Sequence, residues 1–260
     1  MFLNNFVRVG RRRLCVALGF IILAAASTAA QAQTPASAEA YLRRGLARQS
    51  RGNVSGALAD FNRALRLKPA LAAAYYYRGN LLYERGEYKA AISDYDRLVE
   101  LDPRNPAAYY NRGVARLALR DWVGAVGDMT GAVSIDARHA RAFYVRGVAE
   151  HMRGRLDAAL EDFDRAVEID PRYAEAYNNR GAARKDMGDL DGAVADFGKA
   201  ISLDPRYAEA YANRGDALRR QGREEEARRD FDASARLGKG VNGAVRENVR
   251  GVKRPRPRDE

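Results

Sequence analysis

The chain is nearly devoid of cysteine, histidine and tryptophan: one Cys, two His and one Trp stand among 260 residues. The single thiol, Cys15, lies in an apolar run, so no disulfide can form within the chain. His139 and His151 are too few for a histidine-rich metal centre, and no Gly-rich phosphate loop follows a convincing strand. The carboxylates are plentiful but recur at equivalent positions, as in a scaffold and unlike a catalytic pair. No catalytic residue, metal site, cofactor or small-molecule substrate is therefore expected. Long hydrophobic runs are missing as well, since residues 14–26 fall short of the roughly 20 that a bilayer-spanning helix needs.

That short run follows Arg8, Arg11, Arg12 and Arg13 and precedes small residues ending in Ala30-Gln31-Ala32. A positive start, an apolar stretch and a small-x-small site make a secretory signal, expected over residues 1–32 with a linker at 33–37. An uncleaved inner-membrane anchor at residues 14–26 is the alternative, and both the general secretory and twin-arginine routes stay open. Cys15 has arginines and leucine before it, unlike a lipoprotein site. Cleavage would leave a periplasmic or secreted chain without cysteine and lower the net charge from +11 to +7.

What the chain has instead is a period. From Ala38 it divides every 34 residues, at Ala72, Pro106, Ala140, Ala174 and Ala208, without insertion or deletion. Position 4 of each unit is aromatic (Tyr41, Tyr75, Tyr109, Phe143, Tyr177, Tyr211) and position 8 is glycine (Gly45, Gly79, Gly113, Gly147, Gly181, Gly215). Position 20 is always alanine, and position 24 is Phe61, Tyr95, Met129, Phe163, Phe197 or Phe231. In the fifth unit Leu190, Ala193, Val194, Phe197, Ala200, Ile201 and Leu203 share one helical face. Gly52, Gly86, Gly154, Gly188 and Gly222 fall where a first helix ends, and Pro69, Pro103, Pro171 and Pro205 where a second helix stops.

This pattern resembles the tetratricopeptide repeat family, whose unit is a helix-turn-helix. The resemblance implies an all-α fold: a right-handed solenoid of six hairpins, at 38–71, 72–105, 106–139, 140–173, 174–207 and 208–241. Each hairpin leaves an apolar face that its neighbour covers. Residues 242–260 should supply a short capping helix and a basic tail too polar to fold alone. The third unit departs most, with Arg120 in place of the turn glycine and Gly124, Gly127 and Gly131 in its second helix. It is expected to be the least protected part of the stack.

In the family the first helices line a concave groove, which implies that a protein or peptide ligand meets Tyr76, Tyr77, Asn80, Tyr83, Tyr110, Asn111, Tyr144 and His151 in units two to four. Units five and six would add Asn178, Asn179, Lys185, Asn213 and Arg219, suited to acidic groups. The family's carboxylate clamp needs a basic residue at position 5, and Leu42, Tyr76, Tyr110, Tyr144, Asn178 and Ala212 supply none. Chaperone-tail capture is thus not expected.

Two charged positions recur in all six units: Arg44, Arg78, Arg112, Arg146, Arg180 and Arg214 at position 7, and Asp60, Asp94, Asp128, Asp162, Asp196 and Asp230 at position 23. Both lie at similar distances from the hairpin turn, so an Arg–Asp bridge within each unit is expected, a structural role rather than a site. The segment from Lys239 on carries seven basic and three acidic residues. It would allow weak contact with an anionic envelope surface, nucleic acid being less accessible to an exported chain. Two functions follow: a non-catalytic, partner-binding scaffold in a bacterial cell envelope, or an adaptor tethered by its tail with the repeats as spacer.

Overall fold

The computed structural model describes residues 37–240. The expected signal segment, residues 1–32, and the cap and basic tail at 242–260 lie outside them. Among the described residues there are twelve α-helices and no strand: α1 Ala38–Ser50, α2 Val54–Leu67, α3 Ala72–Glu84, α4 Tyr88–Leu101, α5 Pro106–Ala118 and α6 Trp122–Ile135, then α7 Ala140–Met152, α8 Leu156–Ile169, α9 Ala174–Asp186, α10 Leu190–Leu203, α11 Ala208–Arg220 and α12 Glu224–Gly240. No described helix is long and apolar enough to cross a membrane. The fold is an all-α helical repeat. Its contacts gather into two compact units, Met1–Tyr77 and Arg78–Glu260, with the division falling inside α3 rather than at the end of a repeat.

In the first unit, Ser37 starts α1 by accepting a bond from the Ala40 N–H at 3.1 Å, which satisfies a donor that has no partner within the helix. Asn53 does the same for α2 through Gly56 N–H at 2.9 Å. The hairpin closes on Phe61, which is fully buried. A Cβ added to Gly45 would stand 2.5 Å from its ring, so only glycine lets the ring lie flat against α1. Ala38, Tyr41, Ala64, Leu65 and Ala74 form the adjoining apolar cluster.

The second unit repeats this logic. The helices pair as α5 with α6, α7 with α8, α9 with α10 and α11 with α12, and the second helix of one hairpin packs on the first of the next. Tyr95, Met129, Phe163 and Phe197 are at most 1% exposed, and the position-20 alanines beside them are equally buried. Phe231 in the last hairpin is only half-buried. No further described repeat follows to cover it.

Turn geometry sets the third repeat apart. Gly52, Gly86, Gly154, Gly188 and Gly222 end their first helices at φ between 75° and 89°, and Arg120 must adopt φ 62° at the same point. A side chain in that region costs about 1 kcal/mol. Arg120→Gly is accordingly expected to raise stability by about 1 kcal/mol, read as an increase in thermal midpoint; a lower midpoint would show that the arginine makes compensating contacts. Two of the three glycines in α6 have local reasons. Gly124 leaves room for the capping carboxylate of Asp121, and Gly131 for the Tyr109 ring, whereas a Cβ on Gly127 would meet open space.

Candidate functional site

Every repeat brings its position-7 arginine against its position-23 aspartate. The N–O separations are 2.6 Å for Arg44–Asp60, 2.5 Å for Arg78–Asp94 and 2.7 Å for Arg112–Asp128, then 2.7 Å for Arg146–Asp162, 2.6 Å for Arg180–Asp196 and 2.7 Å for Arg214–Asp230. All six carboxylates are buried. The guanidiniums of Arg44, Arg112, Arg146, Arg180 and Arg214 also lie over the aromatic ring three residues earlier, as with Arg180 over Tyr177 at 5.2 Å and Arg146 over Phe143 at 5.4 Å. Burial pushes the carboxyls of Asp94, Asp128 and Asp162 above their ordinary range, with the arginines pulling the other way. For these three carboxyls desolvation outweighs the pull of the arginines, so their pairs are expected to specify the hairpin register more than they add stability.

A second regularity has a period of two repeats and escaped the 34-residue reading. Position 11 is arginine in alternate units, and Arg48, Arg116 and Arg184 each add a bond of 2.8–2.9 Å to the same aspartate. These units also cap their second helix with Asn53, Asp121 or Asp189, each bonded to the N–H of a glycine three residues on. Glu87 and Arg155 in the intervening units make no such bond. A Cβ on Gly124 or Gly192 would stand 2.9 or 3.0 Å from the Arg116 or Arg184 stem, so glycine and arginine go together. Comparing residues 68 apart would have exposed the coupling.

Three of the position-7 arginines also tie neighbouring repeats. Arg112 and Arg180 reach Asp96 and Asp164 of the preceding repeat at 2.7 Å, and Arg146 reaches Thr130 at 3.3 Å. At the equivalent place before Arg214 stands Gly198, whose added Cβ would lie 3.7 Å from the guanidinium Nη1. Gly198→Asp should complete the tie and raise stability by about 1 kcal/mol, with Gly198→Asn gaining only the smaller helix-propensity share. Equal melting temperatures for the two variants would mean that the ion pair adds nothing.

The remaining residues singled out in the sequence lie on the first helices. In the first unit, Tyr76 and Tyr77 meet edge to face at 5.2 Å, and Tyr77 stacks on Phe61 at 6.5 Å. In the second unit, Asn80 Oδ1 accepts bonds from Asn111 Nδ2 at 3.1 Å and from the Tyr95 hydroxyl at 2.8 Å. Tyr83 packs against Tyr88 at 5.3 Å, and Tyr110 stacks on His139 at 5.0 Å. Asn179 Nδ2 donates to the Tyr144 hydroxyl at 2.7 Å, and Asn213 Nδ2 to Asn178 Oδ1 at 3.0 Å. His151 Nε2 lies 2.8 Å from an Asp186 carboxylate oxygen.

Two of these residues are not where an open groove needs them. Asn178 is 1% exposed and Lys185 is 8% exposed. Lys185 is drawn in by Asp216 at 2.9 Å, which Arg219 and Arg220 also approach at 2.9 and 3.4 Å. Burial opposes ionisation of Asp216, but these three cations hold its carboxyl below the usual range. The basic groups expected to await an acidic ligand are therefore turned in part toward a carboxylate of the protein itself.

Position 34 was missing from the expected face. Tyr173 tilts against Tyr144 with ring centres 4.9 Å apart, in the place that His139 takes beside Tyr110, and Tyr207 follows at the same position one repeat later. Burial, reinforced by nearby hydroxyls and carboxylates, pushes the hydroxyls of Tyr144, Tyr173 and Tyr207 well above the tyrosine range. They stay neutral at any physiological pH. The signal in the sequence was the run Leu71, Asn105, His139, Tyr173, Tyr207, which turns aromatic toward the later repeats. Among the described residues no group of three or more His, Cys, Asp or Glu side chains could hold a metal ion.

Comparison with known proteins gives the same architecture. No curated protein matches the chain. Similar solved structures include MamA, at 26% identity and TM-score 0.59, covering 64% of this chain and 97% of that one. YrrB, described as a TPR protein with an unusual peptide-binding site, is 25% identical with TM-score 0.58, over 70% of this chain and 94% of its own. A tetratricopeptide repeat protein from Parabacteroides merdae is 25% identical with TM-score 0.62, over 82% and 83%. The TPR repeat family model matches residues 45–84, 79–119, 147–188 and 183–222, and a further tetratricopeptide repeat model matches 208–247. With more than half of its length covered by these repeats, the chain belongs to the tetratricopeptide repeat family.

Proposed function

We propose that the chain is a non-catalytic interaction scaffold that holds a peptide, or an extended segment of a partner protein, along the first helices of its second unit. The observation that carries this reading is the tie between successive repeats through side chains at that face, with Asn179 fixing the Tyr144 hydroxyl at 2.7 Å. A ring held in this way loses little freedom on meeting a ligand, so more of its contact area converts into affinity. Amides such as Asn111 and Asn213 suit the backbone of an extended peptide. The peptide-binding site of YrrB, a protein of the same family, favours the same use of the fold.

Site-specific photo-cross-linking tests the reading. Benzoylphenylalanine in place of Tyr110 should trap a partner, and the same group in place of the exposed Lys199 on α10 should not. Trapping from position 199 alone would move the binding surface to the second helices and sink the assignment. We further propose that the scaffold works in the cell envelope after removal of residues 1–32. Amino-terminal sequencing of the envelope protein should then begin at Gln33, whereas an intact start would support the anchored alternative.

A further inference from the structure

The face just described has an acidic and aromatic end, and its chemistry selects a ligand. On α9 and α11, position 2 is Glu175 and Glu209, both exposed. Neither carboxylate has an ion-pair partner among the described residues, whereas Asp216 on α11 draws three cations from the same two helices. Beside them lies the cluster of half-buried rings that includes the Tyr144–Tyr173 pair, centres 4.9 Å apart, and Tyr207. Tyr173 and Tyr207 are the residues immediately before α9 and α11, and Glu175 and Glu209 lie in the first turns of those helices, two residues from these rings; both carboxylates also act electrostatically on the Tyr144 and Tyr207 hydroxyls. The opposite charge at position 2 is Arg141 on α7, which acts on Tyr110 and Tyr173.

We propose that this end binds an arginine or lysine side chain of the partner peptide, the cation lying against Tyr144 and Tyr173 and hydrogen-bonded by Glu175 and Glu209. The inference rests on the first-helix face being the binding face. Aromatic faces attract a cation through their quadrupole, and a carboxylate–guanidinium bond is roughly twice as strong as a neutral one. A neutral or acidic side chain in the same place would desolvate two carboxylates without a counter-charge and be rejected. Near Asp216 the charge runs the other way, with three cations on one carboxylate, so the ligand's cation is directed to the amino-terminal ends of α9 and α11.

The test uses the full chain, immobilised, with a random library of short peptides displayed on phage as the probe. Retained peptides should be enriched in arginine and lysine, and Glu175→Gln with Glu209→Gln should abolish the enrichment. In fluorescence anisotropy, a retained peptide should bind about tenfold more tightly than its copy with glutamine at the cation, and the double variant should lose that difference. Both carboxylates are exposed, so an unchanged circular-dichroism melt shows that the fold is kept. Enrichment without cation bias, or a bias that survives in the double variant, overturns the cation assignment and leaves the groove reading standing. No enrichment together with no cross-link from position 110 removes the groove reading, and this inference with it.

Discussion

Asp128→Ala is expected to cost about 3 kcal/mol of stability, and Asp162→Ala about 2 kcal/mol. Asp128 is bonded by two arginines, Arg112 at 2.7 Å and Arg116 at 2.9 Å, and its side chain is 3% exposed. Removing the carboxylate takes the buried partner from two guanidiniums, leaving Arg112 with the carboxylate of Asp96 at 2.7 Å and Arg116 with the more distant one of Asp121 at 3.9 Å, whereas Asp162 has the single partner Arg146 at 2.7 Å. The figures lie at or below the low end for buried pairs because the arginines keep some contact with water, 14% for Arg112 and 22% for Arg146. Hydrogen exchange in α5 to α8 reads the loss locally, which matters in a repeat protein whose units need not unfold together.

The sharper half of this experiment is the double replacement Arg146→Met with Asp162→Leu. If desolvation dominates the pair, an apolar couple of similar volume should be within about 1 kcal/mol of the parent. A double variant as damaged as Asp162→Ala alone would mean that the ion pair adds net stability. Finding Asp128→Ala within about 0.5 kcal/mol of the parent would mean that water reaches the arginines freely.

Phe163→Ala should cost about 3–5 kcal/mol, the usual range for emptying a fully buried aromatic site. Phe163 is 0% exposed, packs against Ala159 and Ala183, and lies 6.1 Å from the Tyr144 ring. Its neighbour on α7 is Gly147, where a Cβ would stand 2.8 Å from the ring and 3.2 Å from the Ala159 carbonyl oxygen. Gly147→Ala alone is therefore expected to destabilise by about 1–2 kcal/mol, overpacking outweighing a helix-propensity gain of about 1 kcal/mol. With Phe163 already alanine the same change should become stabilising by about 1 kcal/mol, since the ring is gone and the propensity gain remains. Equal effects in both backgrounds would show that the Ala159 carbonyl, and not the ring, demands glycine at position 147.

The parts of the structure that could be read along the chain are those confined to one hairpin. Gly147, Ala159 and Phe163 meet because two antiparallel helices joined by a tight turn must bring fixed offsets together, whatever surrounds them. Arg146 and Asp162 lie sixteen residues apart for the same reason, and the offset returns in every unit. The turn glycines announced their positive φ by chemistry alone, and Arg120 stood out as the one residue that would pay for it.

The candidate face was less legible, because its contacts join residues about one repeat apart whose side chains change from unit to unit, as in Asn179 to Tyr144 and Asn213 to Asn178. Asn179 meets Tyr144 across thirty-five residues, and Lys185 meets Asp216 across thirty-one. Whether such side chains touch depends on how one first helix leans on the next. That lean is set by packing around residues such as Met129, Phe143 and Ala176, which no 34-residue alignment displays. Position alone placed Lys185 in the open, and its burial became visible only with Asp216 beside it. The two-repeat alternation of Arg48, Arg116 and Arg184 was present in the letters, yet acquired meaning only when each was seen on an aspartate already held by another arginine. Sequence by itself determined the repeat, its register and the helix ends, because these follow from local backbone chemistry and fixed offsets. Tertiary structure decided which polar groups of the candidate face are already engaged and which, like Glu175 and Glu209, have no ion-pair partner among the described residues, because that depends on distances between repeats.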